Sequence, residues 1–382
     1  MKIYYWTPYM EQVGTIKATI NSAIALSRMG HEVKLYKPYR EWEGYEEVLK
    51  ENHIDIIDFH LSEKLPDLSS EGVGYRISML KISFFAFGLL KKNYETDKPD
   101  VIISSLLGYL PLLVREHAQF QPKIVCSIQG KPKYHSVRKV LWNWLYAKAD
   151  KIITLTESTK NDMQEKLKLP REKYMVLANP VIDASMDALQ EEQITDKFYE
   201  TDKKIILGVG RLTRQKDFKT LMKAFSKIKE RVPSRLVILG EGENRKELED
   251  YAGELGIEKE TFLPGFVKNP YKYIAKADVF VLSSLWEDPG HVLMEAAYLK
   301  TPIVSTRCPH GPEEFLSYGK AGELCDVGND EEMAECICSV LQEKDKDALQ
   351  QKVDLAYENS LQYHMTVHGK KLEEMIEALV ES

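Results

Sequence analysis

Short β-rich runs alternate with amphipathic helical runs along most of this sequence, and this alternation constrains the fold more than any other feature. The runs KIYYW, EVKLY, DVIIS and KIVCSI have the composition of buried strands, and stretches such as IKATINSAIALSRMG between them have helical periodicity. Strands separated by helices of this length form βαβ units, in which helices cover both faces of a parallel sheet. The alternation therefore predicts an α/β protein.

The alternation is interrupted near the middle of the chain. After Asn179 and Pro180, a polar stretch without a strand pattern extends to about residue 202, and a second series of strands and helices begins at KIILGVG. A chain of 382 residues is too long for one ordinary hydrophobic core. We therefore predict two similar α/β domains with a cleft between them, residues 1–180 and 203–361, joined by a linker at 181–202.

The end of the chain has a helical pattern. Residues 362–382 are amphipathic, with Leu372, Met375, Ile376 and Leu379 on one side. A helix of this kind usually covers one domain or bridges two. No internal repeat or low-complexity tract accompanies it.

Charge and cysteine content argue against several classes of protein. The net charge is −7, so no overall basic balance exists to meet a phosphate backbone, and we expect no nucleic-acid partner. The five cysteines form no CxxC pair, which favours a reduced cytoplasmic setting and argues against a zinc site. The N-terminus lacks the apolar run of a signal peptide, and the most apolar segment, ISFFAFGLL at 82–90, is about half as long as a membrane span.

The stretch WEDPGHVLMEA follows the apolar run DVFVLSS and has the pattern of a helix start. Asp288 is a good N-cap, and Pro289 suits the first helical position. The N–H groups of Gly290, His291 and Val292 would then have no partner within the helix. Together with the helix dipole they would form a natural site for an anion such as a diphosphate.

Two carboxylates flank this turn. Glu287 precedes it, and Glu295 lies eight residues later on an otherwise apolar helix. Carboxylates suit sugar hydroxyls because they only accept hydrogen bonds and can take two donors. We interpret the pair as holding one sugar at each side of a bound diphosphate. The alternative is a solvated helix edge with an N-cap and an accidental glutamate.

Two cations follow the first strand of the second half. In LGVGRLTRQKDF, Arg211 and Lys216 come directly after the strand, and residues at strand carboxyl ends line the crevice of open α/β sheets. Cations there would offset the charge of a departing diphosphate, whereas the alternative is a pair of exposed loop cations. Gly240 follows another strand. Gly14 and Thr15 open the first helix, where their amides would face the diphosphate across the cleft.

These motifs resemble those of the family-4 retaining glycosyltransferases of the GT-B fold. The runs GVGRLTRQKDF, LVILGEGENRKELE, EDPGHVLME (an E-x7-E stretch) and EAAYLKTPIVST have the order and spacing of that family over about residues 204–327. The resemblance is looser over residues 2–180, where family members diverge with their acceptors. It implies two Rossmann-like domains facing a cleft, and a last helix that crosses back to the N-terminal domain.

The resemblance also implies roles for single residues. Two cations bind the donor diphosphate, namely Arg211 and Lys216. The two acids of E-x7-E lie beside the transferred sugar and the nucleotide ribose, namely Glu287 and Glu295. Turn amides contact the sugar and phosphate, namely those of Gly290, His291, Val292 and Leu293. Two residues border the base, namely Phe266 and Val267. We take Glu287, Arg211 and Lys216 as the catalytic group and the others, with Gly14, Thr15 and Gly240, as donor-binding.

The chain departs from the family at one place. Relatives often have a histidine after the strand that here reads CSIQGKPKYH, and Gln129 occupies that position, with His135 six residues later. The resemblance implies that a donor phosphate oxygen takes the acceptor proton, so we assign no general base. We expect no metal or other cofactor, because the only D-x-D motif, Asp345 and Asp347, lies in a highly charged helical stretch, and the cations and helix amides would replace a divalent ion.

A basic and aromatic segment in the first half is typical of contact with a membrane surface. In KPKYHSVRKVLWNWLYAKADK, four of the cations precede two tryptophans, namely Lys131, Lys133, Arg138, Lys139, Trp142 and Trp144. Basic residues beside tryptophans suit an anionic lipid interface. SFFAFGLL would form the apolar wall of a site for a lipid-linked acceptor, such as a polyprenyl-diphosphate glycan. The alternative is that these are core helices with a solvated basic edge.

The leading interpretation is a metal-independent retaining glycosyltransferase, either a hexosyltransferase or an N-acetylhexosaminyltransferase. It would use a UDP-sugar and a glycan or polyprenyl-linked acceptor in surface polysaccharide or glycolipid synthesis. It would be cytoplasmic and peripheral on the inner face of the cell membrane. Two alternatives stay open: a nucleotide-sugar 2-epimerase, which needs no acceptor, and a nucleotide-sugar-binding protein that has lost catalysis, for which Gln129 is the hint.

Overall fold

The chain folds into two compact units. The computed structural model describes residues 1–8, 14–65, 68, 72–105, 109–130, 134, 136–287, 290–309 and 311–381. Unit 1 consists of Met1–Pro180 and Met365–Ser382, and unit 2 consists of Val181–His364. Each unit contains a sheet of parallel strands covered by helices, so the prediction of two Rossmann-like α/β domains is confirmed.

Unit 1 is built on a seven-stranded sheet. Its strands are β1 (Lys2–Trp6), β2 (Glu32–Lys37), β3 (Asp55–Asp58), β4 (Val101–Ser105), β5 (Lys123–Ile128), β6 (Lys151–Thr154) and β7 (Tyr174–Val176). The helices between them are α1 (Gly14–Arg28), α2 (Glu46–Glu51), α3 (Leu61–Lys64), α4 (Gly72–Asp97), α5 (Tyr109–Arg115), α6 (Ser136–Tyr146) and α7 (Glu157–Lys166). A 3₁₀ turn at Arg171–Lys173 precedes β7.

The strand order in unit 1 is β3-β2-β1-β4-β5-β6-β7, and every pairing is parallel. Successive strand residues point to opposite faces of the sheet. Tyr4 and Trp6 therefore pack into the core beneath α4, whereas Ile3 and Tyr5 pack into the core beneath α1. Burial on both faces explains why these strands are almost continuously apolar in sequence.

Unit 2 is built on a six-stranded sheet. Its strands are β8 (Lys204–Val209), β9 (Ser234–Leu239), β10 (Thr261–Gly265), β11 (Val279–Leu282), β12 (Ile303–Thr306) and β13 (Glu323–Cys325). Its helices are α8 (Ser185–Leu189), α9 (Phe218–Ile228), α10 (Arg245–Glu254), α11 (Tyr271–Ala275), α12 (His291–Tyr298), α13 (Pro312–Phe315), α14 (Asp330–Gln342) and α15 (Lys346–Ser360). Short 3₁₀ turns lie at Lys197–Tyr199, Arg214–Lys216, Ser317–Gly319 and Leu361–Tyr363.

The strand order in unit 2 is β10-β9-β8-β11-β12-β13, again with parallel pairing throughout. The direction of the order reverses between β8 and β11. Residues 181–202, which the sequence predicts to be a linker, lie in unit 2. There the Tyr273 hydroxyl donates to Asp196 at 2.7 Å, and the ring of Phe198 stacks on that of Phe262 at 5.0 Å.

The last helix, α16 (Met365–Glu381), belongs to unit 1. Its Leu372 and Ile376 side chains join the core that contains Ile16 of α1. A Cβ added at Gly369 would lie 3.0 Å from the Ala25 Cβ, so the glycine allows α16 and α1 to approach closely. The last helix therefore completes the hydrophobic core of the N-terminal unit.

Candidate functional site

The residues singled out in the second half of the sequence follow strand ends along one edge of the unit 2 sheet. Parallel strands end at the same edge, so the residues after β8, β9, β10 and β11 share it. These are Arg211 and Lys216, then Gly240, then Phe266 and Val267, and then Glu287. Strands β8 and β11 are neighbours where the strand order reverses, and ligands of open α/β sheets bind in the crevice at such a point.

Lys216 and Glu287 form a largely buried ion pair at this reversal. The Lys216 Nζ lies 2.5 Å from the Glu287 Oε1, and the two side chains are 15% and 6% exposed. The Ser284 hydroxyl donates a second hydrogen bond to the same oxygen at 2.5 Å. Because each buried charge needs the other to offset its lost hydration, the ammonium group is held at the carboxyl edge of the sheet.

Hydrogen bonds also join the loops that carry this pair. The Gln215 side-chain amide donates to the Trp286 carbonyl at 2.9 Å, and the Leu285 N–H donates to the Gln215 carbonyl at 2.8 Å. The Ser283 hydroxyl donates to the Lys216 carbonyl at 2.7 Å. The loops after β8 and β11 are therefore fixed to each other by hydrogen bonds.

A glycine lets the turns after β8 and β9 touch. Gly240 has φ +141°, and a Cβ added there would lie 1.9 Å from the Gly210 carbonyl oxygen. The Leu212 N–H donates to the Glu241 carbonyl at 2.8 Å and the Gly210 N–H donates to the Leu239 carbonyl at 2.9 Å, so the loop is fixed on both sides of Arg211. Arg211 is exposed, and its guanidinium makes no hydrogen bond or ion pair with the residues that the structure describes. Gly240 therefore allows the backbone contact that positions the loop of Arg211.

Helix α12 begins at His291, two residues later than the sequence indicates, so the prediction of Asp288 as N-cap is wrong. Its N-cap is Gly290, which has φ +92°. A left-handed residue cannot continue a right-handed helix, so the helix starts after it. A Cβ at Gly290 would lie 3.3 Å from the Glu287 Cγ, so the glycine also leaves room for this carboxylate. Asp288 and Pro289 themselves lie outside the described residues.

The first turn of α12 contains the amides assigned to an anion. The Leu293 N–H donates to the Gly290 carbonyl at 2.9 Å, and the Leu293 side chain is fully buried. The N–H groups of His291 and Val292 precede it at the positive end of the helix dipole. An anion at this turn would therefore meet the first two amides of the helix rather than that of Leu293.

Glu295 lies in the middle of α12, and its surroundings are apolar. It is 9% exposed, and its helix neighbours Met294 and Ala296 are fully buried. The hydroxyl of Tyr271, the first residue of α11, donates to the Glu295 Oε1 at 3.4 Å. A carboxylate has about four acceptor sites, so it can accept several hydrogen bonds at once.

The other predicted residues have simpler surroundings. Phe266 directly follows β10 and is 78% exposed, and Val267 beside it is partly buried. Gly14 and Thr15 are the first two residues of α1 in unit 1. Asp345 of the D-x-D motif is the N-cap of α15, where its carboxylate accepts from the Ala348 N–H at 3.0 Å. Within the described ranges, no group of three or more His, Cys, Asp or Glu side chains is placed to hold a metal ion.

Gln129 is occupied by hydrogen bonds within unit 1. Its side-chain amide donates to the Ser127 hydroxyl at 2.8 Å, and it exchanges hydrogen bonds with the Asn179 amide at 3.2 and 2.9 Å. Together they border a small cavity of about 30 Å³ beneath α1 and α16. His135, Lys131 and Lys133 lie outside the described residues.

Three contact residues were missed by sequence reasoning. Ser284 and Gln215 stand directly beside recognised residues, and a hydroxyl at the carboxyl end of a buried strand is a signal that could have revealed Ser284. Tyr271 meets Glu295 across 24 residues of sequence, and no local pattern indicates that contact.

The chain matches two family profiles. The profile described as "Glycosyl transferases group 1" matches residues 190–377, and that described as "Glycosyltransferase Family 4" matches residues 16–184. The residues matched by the first profile include every candidate site residue of unit 2, and the two matches together extend over both units.

Curated relatives and a solved structure extend this likeness. An uncharacterized glycosyltransferase of Methanocaldococcus jannaschii is 30% identical over 253 residues, which cover 60% of this chain and 62% of that protein. The N-acetylgalactosamine-N,N'-diacetylbacillosaminyl-diphospho-undecaprenol 4-alpha-N-acetylgalactosaminyltransferase of Campylobacter jejuni is 31% identical over 311 residues, which cover 77% of this chain and 82% of that enzyme. The crystal structure of Anabaena Alr3699/HepE in complex with UDP has a TM-score of 0.77, with 16% identity over 99% of this chain and 100% of that chain.

Proposed function

This chain belongs to the group 1 glycosyl transferases and has the GT-B fold of family 4, and we propose that it transfers a hexose or N-acetylhexosamine from a UDP-sugar with retention of configuration. The acceptor in this proposal is a glycan or a polyprenyl-linked glycan used in surface polysaccharide or glycolipid synthesis. The alignment with the M. jannaschii relative covers less than two thirds of that protein. Substrates and partners are accordingly proposals for this chain.

The Lys216–Glu287 pair at the reversal between β8 and β11 is the observation that carries the proposal. Bond cleavage in a nucleotide-sugar leaves negative charge on the diphosphate, and cations fixed in advance stabilise that charge without having to reorganise. Lys216 is held by Glu287 at 2.5 Å, and exposed Arg211 stands on the same loop. The two cations would bind the diphosphate, and the amides at the start of α12 would bind it from the neighbouring strand end.

We assign the two acids to the two sugars of the donor. Glu287 lies next to the ammonium group that would bind the diphosphate, so its second oxygen would meet the transferred sugar. Glu295, with Tyr271 beside it, would accept hydrogen bonds from the ribose hydroxyls. Phe266 and Val267 would border the base. UDP in the Anabaena structure supports uracil as that base.

The proposed chemistry needs no protein base. The acceptor hydroxyl oxygen forms a bond to the anomeric carbon as the bond to the diphosphate breaks, and a phosphate oxygen of the leaving UDP takes the acceptor proton. The new bond forms on the same face of the sugar from which the diphosphate leaves, so the configuration at the anomeric carbon is retained. Lys216, Arg211 and the α12 amides would supply the charge stabilisation that a divalent ion supplies elsewhere.

A relative supports a lipid-linked acceptor. The Campylobacter enzyme is named for an acceptor that carries diphospho-undecaprenol. No helix in the described part of this chain is long and apolar enough to cross a membrane. We therefore propose a cytoplasmic enzyme that approaches a lipid-linked acceptor from the inner face of the cell membrane.

Release of UDP tests the function. We expect UDP-glucose or UDP-N-acetylglucosamine to yield UDP faster when an undecaprenyl-diphosphate glycan is added, and the product to keep the donor's anomeric configuration by NMR. Activity should survive excess EDTA, and loss of activity there would defeat the metal-independent mechanism. Interconversion of the free donor without acceptor would identify an epimerase instead, and tight UDP binding without turnover would identify a binding protein.

A further inference from the structure

The outward face of α4 is apolar. Its exposed side chains include Ile77, Leu80, Phe84 and Phe85, and Phe84 is 78% exposed. Nine of the seventeen exposed large apolar side chains in the described ranges lie on α4 and α6. Single exposed apolar residues are normal on a protein surface, but a contiguous group marks a surface that binds something.

The outward face of α6 has the same character. Val137, Val140, Leu141 and Trp144 are exposed, and their spacing of three and four residues places them on one side of the helix. Val140 is 72% exposed and Trp144 is 51% exposed, whereas Leu145 is the fully buried residue of this helix. The amphipathic pattern of α6 is therefore turned outward, with its apolar stripe toward solvent.

The two apolar faces meet at a groove. Its volume is about 380 Å³, and side chains of α4, α5 and α6 line it, among them Met79, Leu80, Tyr109, Leu113, Leu141 and Trp144. This volume lies within the range of about 300–1,000 Å³ of small-ligand sites. Because Leu80, Leu141 and Trp144 belong both to the groove and to the exposed faces, the groove opens within one continuous apolar surface.

The charges that these two helices carry are mostly positive. From residue 72 to residue 94 of α4, and throughout α6, the sequence contains no Asp or Glu, but it contains six cations, namely Arg76, Lys81, Lys91, Lys92, Arg138 and Lys139. Lys81 and Lys139 make no ion pair with the described residues. The Lys148 Nζ, which pairs with the Glu116 carboxylate, lies 4.7 Å from the ring centre of exposed Trp144. An apolar surface edged by cations complements an anionic lipid headgroup layer.

We propose that α4 and α6 lie on the surface of an anionic lipid bilayer, with their apolar side chains at the acyl boundary and one lipid chain in the groove. The inference rests on the lipid-linked acceptor of the proposed function and names the surface from which that acceptor is taken. A second copy of this chain is a poorer occupant, because a symmetric contact through this face would place cations against cations.

Vesicle flotation of the full-length protein tests the docking surface. We expect the protein to float with vesicles of phosphatidylglycerol and phosphatidylcholine, and much less with phosphatidylcholine alone. The variant Leu80→Glu/Val140→Glu should lower the bound fraction at least tenfold, because both side chains are exposed and would carry charge into the acyl boundary. Lys81→Gln/Lys139→Gln should weaken binding at low salt. Val48→Glu on α2, at a side chain 40% exposed, should float like the unchanged protein.

The inference is overturned if the unchanged protein stays in the soluble fraction with anionic vesicles, or if Leu80→Glu/Val140→Glu floats equally well. It is also overturned if the protein binds no vesicles and sedimentation shows a dimer that this variant dissociates. UDP affinity measured without vesicles separates this result from the proposed function. Flotation without UDP binding would contradict the proposed transferase activity but support the docking surface. UDP binding without flotation would support the donor of the proposed transferase but contradict the docking surface.

Discussion

At the scale of single residues, Glu287 and Glu295 differ in their partners. Glu287 faces the Lys216 ammonium and the Ser284 hydroxyl, each at 2.5 Å, whereas the Tyr271 hydroxyl lies 3.4 Å from Glu295. A carboxylate paired with a cation fixes that cation. The Glu295 carboxylate, which accepts from the Tyr271 hydroxyl, has oxygens of the kind that accept from a vicinal diol. The difference supports separate roles for the two acids of the E-x7-E motif.

Glu295→Ala should weaken UDP binding. Loss of hydrogen bonds to a charged acceptor costs about 1.5–3 kcal/mol, which is roughly a 10- to 150-fold higher Kd. Isothermal titration with UDP measures the change, and Glu258→Ala at an exposed position of unit 2 is the control. Equal UDP affinity in Glu295→Ala and the unchanged protein would contradict the ribose assignment.

Glu287→Gln should reduce turnover more than nucleotide binding. The substitution keeps the shape of the side chain but removes the charge that holds Lys216 and that would face the transferred sugar. We expect kcat to fall about a hundredfold, the order of one contact made in the transition state, while the UDP Kd changes severalfold at most. Initial rates of UDP release and titration with UDP provide the two numbers. A loss of UDP affinity as large as the loss of kcat would show that the role is misplaced.

Sequence reasoning reached these residues but not their pairing. Strand ends and acidic spacing indicated Lys216 and Glu287 separately, because each lies in a recognisable local pattern. Their contact spans 71 residues and depends on β8 and β11 being neighbours in the sheet. Strand order is set by tertiary packing, so no local pattern predicts a hydrogen bond across it.

At the scale of elements, close contact between strand-end turns shapes the candidate site. The turn after β9 reaches the turn after β8 because Gly240 has no side chain. A Cβ there would be 1.9 Å from the Gly210 oxygen, which is less than any non-bonded contact, so the loop that carries Arg211 would have to move. The backbone geometry at position 240 therefore affects the shape of the candidate site.

Gly240→Ala should destabilise unit 2 and weaken UDP binding. Overpacking and the strained φ each cost about 1–3 kcal/mol. Gly253→Ala in α10 is the matched control, because its Cβ meets nothing within 4 Å and a helical glycine replaced by alanine gains about 0.5–1 kcal/mol. Urea unfolding should show opposite shifts of the midpoint. An unchanged midpoint for Gly240→Ala would refute the close contact.

Element boundaries and directions explain the main differences from the sequence analysis. Asp-Pro is a good local start signal, yet α12 begins after Gly290 because that residue is left-handed. Helical periodicity places Val140 and Trp144 on one face of α6, but periodicity does not reveal whether an apolar face points inward or outward. Only the packing of Leu145 into unit 1 decides that. Both differences arise from backbone or tertiary context.

At the scale of the whole molecule, unit 1 contains two buried titratable groups whose contributions to stability change with pH in opposite directions. Burial lowers the pKa of His368 from 6.5 to about 4. Burial raises the pKa of Glu41 from 4.5 to about 8. His368 is held at both ends, since its Nδ1–H donates to the Ala178 carbonyl and its Nε2 accepts from the Ser22 hydroxyl, each at 2.8 Å.

Acid should destabilise unit 1 through His368. The unfolded chain takes up the proton near pH 6.5 and the native protein only near pH 4, so stability is lost as the pH falls between these values, by about 3 kcal/mol. Glu41 acts oppositely: its contribution is present below about pH 4.5 and is lost as the pH rises toward 8. Denaturant unfolding of His368→Asn and Glu41→Gln from pH 4 to 8 should show differences from the unchanged protein that change with pH in opposite directions. A parallel pH profile for either variant would contradict the corresponding assignment.

The two-unit architecture followed from the alternating pattern, because both parallel sheets are buried on both faces and are apolar in sequence. The pattern of the last helix did not reveal its destination. Leu372 and Ile376 show only that the helix has an apolar side, and the family resemblance was needed to direct it to the N-terminal domain. The last helix packs against Ile16 in a groove formed by α1 and the sheet. The residues of that groove lie far from the last helix in sequence, so no local pattern reveals the contact.

The return of α16 to unit 1 has a consequence for biosynthesis. Unit 2 is one uninterrupted segment, Val181–His364, whereas the core of unit 1 lacks one wall until Met365–Glu381 has been made. The ribosome therefore releases a complete second unit before the first can close. A nascent chain arrested near residue 364 would keep the apolar side of α1 open to chaperones, and a stop codon there would leave that side uncovered although every codon for the sheet of unit 1 had been read.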